Sequence, residues 1–275
     1  AETIEELHTG QRQGARPAIV AALKEALRAG REELDRRLAA RPAAGHEITA
    51  GHAFLIDQLV RVIHDHATGH LYPAPNRTSA ERIAVMAVGG YGRAEMAPRS
   101  DVDIAFITPQ RNAPWCEQVI EAMLYLMWDI GLKVGHSSRT PADMVRMARE
   151  DLTIRTALLE GRYVWGDEVL YDEAGRRFRE EVVAGTERQF VTQKLAERND
   201  RHKRMGDSRY VVEPNVKEGK GGLRDLQTLY WIGKYIHRVR SASELVDVGL
   251  FTRDEYRGFR RAEGWLLAVR CHLHA

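Results

Sequence analysis

Two carboxylates, Asp101 and Asp103, stand two residues apart in the stretch DVDIAFITP (101–109), a short way downstream of the adjacent glycines Gly89 and Gly90. In an extended strand, residues two apart face the same side. Both acids therefore project together, while Val102, Ile104 and Phe106 turn toward a core. Two carboxylates on one face repel each other and are costly to hold without a cation between them. Mg²⁺, with Mn²⁺ as the alternative, is a hard ion that prefers oxygen ligands, and it suits such a pair when substrate phosphates complete its shell. The glycines supply the other half of that chemistry. With no Cβ atoms they let phosphate oxygens approach the backbone, and the start of a helix favours negative charge. Arg93 adds a charge-assisted contact and Ser100 a hydroxyl beside the first acid. A glycine pair alone reads as a turn, and an Asp-x-Asp alone as a solvated strand edge. Together, between two apolar strands, they read as a nucleoside triphosphate site with its metal. The rival phosphate loops fail on spacing: Glu95 stands where G-x-G-x-x-G would need its third glycine, and no G-x-x-x-x-G-K-[ST] occurs.

The elements that must position these residues follow from periodicity. RIAVMAVGG (82–90), DVDIAFITP and LKVGHSSRT (132–140) read as three strands, with a helix over 115–131 carrying Val119, Met123, Leu126 and Ile130. The Met and aromatic residues of that helix are expected to be core. Helices are also predicted over 17–41 (Ile19, Leu23, Leu27, Leu34) and 52–73, ended by Gly69 and Pro73. From Asp151 to about Arg204 the pattern is helical with a break at WGD; SRYVVEPNV (208–216) is extended, KEGKGG (217–222) a glycine-rich turn, and two more helices follow. This predicts an α/β core inside a helical shell, an α+β protein overall. It divides into an N-terminal helical segment (1–80), a core (81–150) and a helical region (151–275).

Composition narrows the class. The chain has 275 residues, 44% of them hydrophobic, and a net charge of +2, so it can bury a sizeable core and carries no global signature of nucleic-acid binding. Its positive charge is mostly Arg, which favours bidentate contacts to phosphate or carboxylate. Two distant cysteines, Cys116 and Cys271, support neither a disulfide framework nor a zinc ribbon. No apolar run is long enough to span a bilayer, and the first residues, AETIEELHTG, lack a signal-peptide pattern. A cytosolic protein without membrane partners is expected. The apolar-periodic final residues, WLLAVRCHLHA, suggest a helix cut from a longer chain.

GGYGRAEMAPRSDVD (89–103) resembles the active-site motif of the DNA polymerase β-like nucleotidyltransferases. With Tyr91, Arg93, Glu95 and Pro98 in place, it is similar to one family within them, the bifunctional uridylyltransferase and uridylyl-removing enzymes that modify the PII nitrogen-signalling protein. VVEPNVKEGKGGLRDLQTLYWI (211–232) resembles a second signature of that family, and more loosely of the glutamine synthetase adenylyltransferase; WDIGLKVGHSSRT (128–140) also fits. The resemblance runs from about residue 50 to the end. It implies a mixed sheet flanked by helical regions, and Mg²⁺-dependent transfer of UMP from UTP to a tyrosine hydroxyl of PII with release of pyrophosphate. Asp101 and Asp103 would hold metal, and Gly89, Gly90, Arg93 and Ser100 the phosphates. A protein adenylyltransferase and a non-catalytic nucleotide- or PII-binding domain are the competing expectations. The HD phosphohydrolase and ACT domains that the family carries after this region lie outside the sequence, so UMP removal and glutamine sensing are not expected of it.

Lys217, Lys220 and Arg224 surround the glycine-rich turn at a helix start, where they could bind triphosphate or form a plain basic turn; likeness to the family favours nucleotide. Asp225 and Gln227 could read the base or orient Arg224. The superfamily normally adds a third carboxylate from the next strand, but His136, Ser137 and Arg139 stand there. This leaves Asp129, a residue of the second motif, or a weakly held metal. HDHATGH (64–70) has sequential polar residues that face different sides of a helix and reads as surface; ERNDRHKRMGDSR (197–209) reads as a solvated helix face or a dock for an acidic partner.

Overall fold

Strands β1 (Ala84–Ala87) and β2 (Val102–Ile107) are short, apolar and almost wholly buried, so a sheet covered on both faces is what their composition demands. The computed structural model describes residues 15–74, 76, 78–206, 213–239 and 241–275. Its four-stranded sheet has the order β3-β2-β1-β4, with β3 at Val134–Arg139 and β4 at Arg162–Gly166. β1 runs antiparallel to both β2 and β4, whereas β2 and β3 are parallel, pairing Asp103 with Gly135. The architecture is α+β with a mixed sheet. β4 departs from the helical reading of 151–204: RYVWG becomes a strand by pairing with β1, through an irregularity between Val85 and Met86.

Helices α1 (Ala15–Ala40), α2 (Gly45–His66, extended by a π-helical turn Ala67–Leu71) and α4 (Pro114–Asp129) cover one face. α3 is the single turn Gly89–Gly92. Ile19, Leu23, Leu59, Ile63, Met123 and Met127 from these helices meet Val85, Ile104 and Phe106 in the largest core cluster. Each such side chain removed from water contributes roughly 1.5–3 kcal/mol. Tyr125 and Trp128 of α4 are exceptions to the expected core, each close to half exposed.

On the other face, Met144 of α5 (Pro141–Glu150) and Leu170 and Ala174 of α7 (Glu168–Phe178) pack on Met86, Ala105 and Ile107. A π-helical turn, Arg179–Val183, follows α7. α6 (Leu152–Leu159), α8 (Glu187–Arg204) and α9 (Leu223–His237) join a separate cluster in which Phe190 stacks on Tyr235 at 3.9 Å between ring centroids. The short α10 (Glu244–Asp247) leads to α11 (Arg253–His274), which opens with a capping box between Thr252 and Glu255 and packs against α2.

His64 and His66 are buried, correcting the surface reading of HDHATGH: α2 is packed by α1, α4, β4 and α11, so few of its faces meet solvent. Arg201 is likewise buried rather than part of a solvated face; residues 207–209 of that basic run, and most of the extended SRYVVEPNV, lie outside the described residues, as do AETIEELHTG and the first two residues of VVEPNVKEGKGGLRDLQTLYWI. Cys116 and Cys271 are free and buried. No helix among the described residues is long and apolar enough to cross a membrane.

Candidate active site

At the end of β1 the Val88 N–H still donates to the Asp103 carbonyl, at 3.0 Å, and the chain then turns sharply at Gly89 with φ +60°. That left-handed conformation favours glycine. A Cβ at Gly89 would sit 3.3 Å from Asp103 Oδ2, and one at Gly135, its partner on β3, would sit 2.6 Å from Oδ1. The Asp103 carboxylate therefore projects between two bare backbones. Farther along the same turn, a Cβ at Gly92 would fall 2.4 Å from the Glu160 carbonyl oxygen, so α3 lies directly on the end of α6.

Asp101 precedes β2 by one residue and is exposed; Asp103 is partly buried. The Asp103 carboxyl is held above its ordinary pKa, first by burial and then by the neighbouring Asp101 charge, while the Lys217 ammonium acts against the rise. No described residue donates a hydrogen bond to either carboxylate. The Ser100 Oγ next to them is buried and also has no hydrogen-bond partner among the described residues. Two carboxylates without a hydrogen-bond donor, beside an orphan hydroxyl, fit a divalent cation with its phosphate ligand. No group of three or more His, Cys, Asp or Glu suited to a metal occurs among the described residues. Asp129 does not join the pair: it ends α4, which packs on the face opposite the Asp103 side chain, and it accepts from Arg16 at 2.9 Å. Gly135 stands opposite Asp103 on the next strand, and His136 beside it is exposed.

Arg93 is placed differently from the glycines. Its guanidinium is buried, donating from Nε to Glu95 Oε2 at 2.7 Å and from Nη1 to Glu160 Oε1. Burial opposes its charge, yet the two carboxylates hold its pKa above the ordinary value. Glu160 also accepts from Trp231 Nε1, and Gln227 Nε2 donates to Glu95 Oε2 at 3.1 Å. This hub ties the glycine turn to α9. Lys194 and Arg224 lie over the Trp231 ring, at 4.3 and 5.3 Å from its centroid.

The second glycine-rich motif closes around Asn215, whose Oδ1 accepts from the Lys217 and Glu218 amides at 3.0 and 2.8 Å. Lys217 is half exposed, with its pKa lowered by partial burial and by Arg224 and Arg270, and its charge reaches Asp103. Lys220 is partly buried in the same turn. Arg224 donates to Gln227 Oε1 at 3.0 Å and to Glu218 Oε1 at 3.2 Å. Asp225 is a tie rather than an open ligand: it accepts from the Gly221 amide at 2.7 Å, bonds His202 Nε2 at 2.9 Å, and pairs with Arg201. Although its burial pushes the other way, these donors keep its carboxyl below the ordinary range.

The structure thus brings Asp101, Asp103, Gly89, Ser100 and Lys217 to one place, and engages Arg93 and Asp225 internally. Sequence reasoning missed Glu160 and Trp231, which become partners of the glycine turn only through tertiary packing. Gly135 carried a local signal, a glycine inside a predicted strand, which marks a close approach.

Residues 189–275 match the protein family described as GlnD PII-uridylyltransferase. Over 274 residues, all of the chain and 30% of the relative's length, it is 74% identical to a bifunctional uridylyltransferase/uridylyl-removing enzyme of Erythrobacter litoralis. Proteins of the same description from Novosphingobium aromaticivorans and Azospirillum brasilense are 69% and 49% identical, over 100% and 94% of the chain and 30% and 28% of their own lengths. The chain spans about 30% of the length of the curated relatives it matches. Across that span it is similar to the bifunctional uridylyltransferase/uridylyl-removing enzymes.

Proposed function

We propose that this chain carries a nucleotidyltransferase centre that moves UMP from UTP to a tyrosine hydroxyl of a PII signalling protein. The observation that carries the reading is the Asp101–Asp103 pair, undonated by any described residue, with Asp103 set between Gly89 and Gly135. The names of its relatives supply the nucleotide, and the resemblance of its two motifs supplies the acceptor.

In this reading Asp101 and Asp103 hold Mg²⁺, which when bound neutralises phosphate charge and stabilises the leaving pyrophosphate. Gly89 and Gly90 let the triphosphate lie against bare backbone, and the Ser100 hydroxyl donates to it. Lys217, half exposed and electrically coupled to Asp103, meets the same phosphates from the other side. Lys220 and Arg224 line the turn behind it. Arg93 holds the glycine turn in position through Glu95 and Glu160 rather than meeting phosphate itself. The tyrosine oxygen bonds the α-phosphorus, the bond to the bridging oxygen breaks, pyrophosphate leaves with that electron pair, and the hydroxyl proton is released. Catalysis is then chiefly positioning and charge neutralisation.

The test is incubation with unmodified PII, Mg²⁺ and α-labelled UTP or ATP, followed by mapping of the label. UMP on a PII tyrosine is the expected result. Label from ATP but not UTP would replace the reading with adenylyl transfer, and label from neither would make the chain a binding domain.

A further inference from the structure

Among the described residues the sheet ends at β3, and none of them pairs with its outer edge. Val102 N–H donates to the Lys133 carbonyl at 2.8 Å and Thr108 N–H to that of Arg139 at 3.1 Å. In a parallel ladder the backbone groups alternate sides. Val134, His136 and Ser138 therefore turn their N–H and C=O groups outward. An edge is ordinarily blunted by proline, a bulge or an inward charge. β3 has no proline, pairs with β2 without a break in register, and leaves His136 and Ser138 exposed.

This edge lies along a groove of about 850 Å³ between α4 and α5. Tyr125 and Trp128 line the α4 wall with their rings accessible, and Trp128 meets His136 edge-on at 6.2 Å. Arg146 and Met147 line the α5 wall. One end of the strand runs directly to the candidate active site, because Gly135 is the partner of Asp103. The missing side chain at Gly135 is what leaves the way across β3 clear: a Cβ there would collide with Asp103 Oδ1.

We infer that the open edge of β3 pairs with an extended segment of the protein acceptor, whose tyrosine crosses β3 over Gly135 to reach Asp103. The inference rests on the proposed function and adds to it the surface that presents the hydroxyl. Strands lie about 4.8 Å apart, so an added strand runs about 10 Å from β2. Tyrosine has the length to cover most of that gap across a bare strand, and serine or threonine falls short. Backbone pairing supplies register and affinity, as in other strand-addition complexes, while the exposed rings of α4 cover the segment.

Proline is tolerated on an edge strand where its nitrogen faces outward. His136→Pro and Ser138→Pro therefore delete a donor to the incoming strand, and His136→Ala keeps it. Initial rates are measured with unmodified PII varied at fixed UTP and Mg²⁺, and UTP binding is followed by thermal shift. Each proline variant is expected to raise the KM for PII by roughly fivefold or more, from the loss of one hydrogen bond and its register. The alanine control and the UTP-induced shift should stay unchanged. On the unaltered chain, hydrogen exchange across 134–139 should slow when PII is added. An unchanged KM for PII, an equal rise in the alanine variant, or no protection of 134–139 would each overturn the inference while leaving UMP transfer standing. Protection that appears with rising concentration of this chain alone would assign the edge to self-association instead. Where a proline variant fails to fold, the exchange result decides. If the unaltered chain never labels PII, the proposed function falls first, and this docking falls with it.

Discussion

Two polar regions about one turn of chain apart treat the same residue types in opposite ways. Around Arg93, every charge has its partner: Glu95 and Glu160 take the guanidinium, Trp231 and Gln227 take remaining carboxylate lone pairs, and all but the partly buried Glu95 are buried. At Asp101 and Asp103 the carboxylates have no described donor, the Ser100 hydroxyl is an orphan, and burial and repulsion raise the Asp103 pKa. Satisfied networks rigidify and fix geometry; unsatisfied ones carry a cost that persists only where a ligand relieves it. The first region fixes the glycine turn, and the second is left open for what binds there.

The comparison breaks most heavily at Arg93. Arg93→Met leaves two buried carboxylates facing each other without a cation, which should cost about 3–5 kcal/mol of unfolding free energy. Urea unfolding at pH 7 measures it. A loss within about 0.5 kcal/mol, the range of an ordinary surface change, would mean that the hub is not structural and that Arg93 is free for phosphate. In that event the KM for UTP, rather than stability, should carry the effect.

The opposite signature is expected at Asp103. Asp103→Asn should lower UMP transfer by at least about 100-fold, the scale of losing a fixed electrostatic contact at a reacting centre. Stability should rise, not fall. A carboxyl whose folded pKa is raised stabilises the fold below its ordinary pKa, and that contribution is lost as pH climbs through the raised value. At neutral pH the native Asp103 is therefore a net cost, which asparagine removes. Melting curves with and without Mg²⁺ and UTP should show ligand stabilisation of the native chain and none of the variant. A destabilised variant would show that Asp103 is already satisfied.

How much of this could be read in advance depended on distance along the chain. The glycine pair and Asp-x-Asp were legible because strand alternation and turn chemistry are local rules, and β1, β2 and β3 fell where the apolar runs placed them. β4 was missed because RYVWG is only five residues between helices, and it becomes a strand by pairing with β1. An arginine beside a glycine turn looks like an anion ligand in sequence. Its Glu160 partner is 67 residues away, and nothing local announces that they meet. Asp225 is the same case, with Arg201 24 residues before it. His64 and His66 were read from helical spacing as surface, a rule that fails for a helix packed on several sides.

Glu263 of α11 lies between the two regimes and gives the smallest effect. It is buried, accepts from Arg260 Nη1 at 2.6 Å and faces His46 Nε2 at 3.5 Å. Its pKa is nonetheless pushed up to about 7, first by burial and then by the Glu95 charge, with Arg260 opposing. The sign follows from the raised value: its contribution to stability is complete below the ordinary 4.5, declines as pH rises toward about 7, and is gone above. Glu263→Gln holds the group neutral at every pH. The variant should come close to the native chain near pH 5 and exceed it at pH 8, by about 2–3 kcal/mol. The lost pair with Arg260 subtracts little, because that guanidinium is well exposed. Melting temperatures of both proteins at the two pH values measure the difference. Equal differences at pH 5 and pH 8 would mean that Glu263 is ionised throughout, with Arg260 and His46 satisfying it as Arg93 satisfies Glu160. The paired region would then extend from the glycine turn into α11, and the open carboxylates at Asp101 and Asp103 would stand as the exception in this part of the molecule.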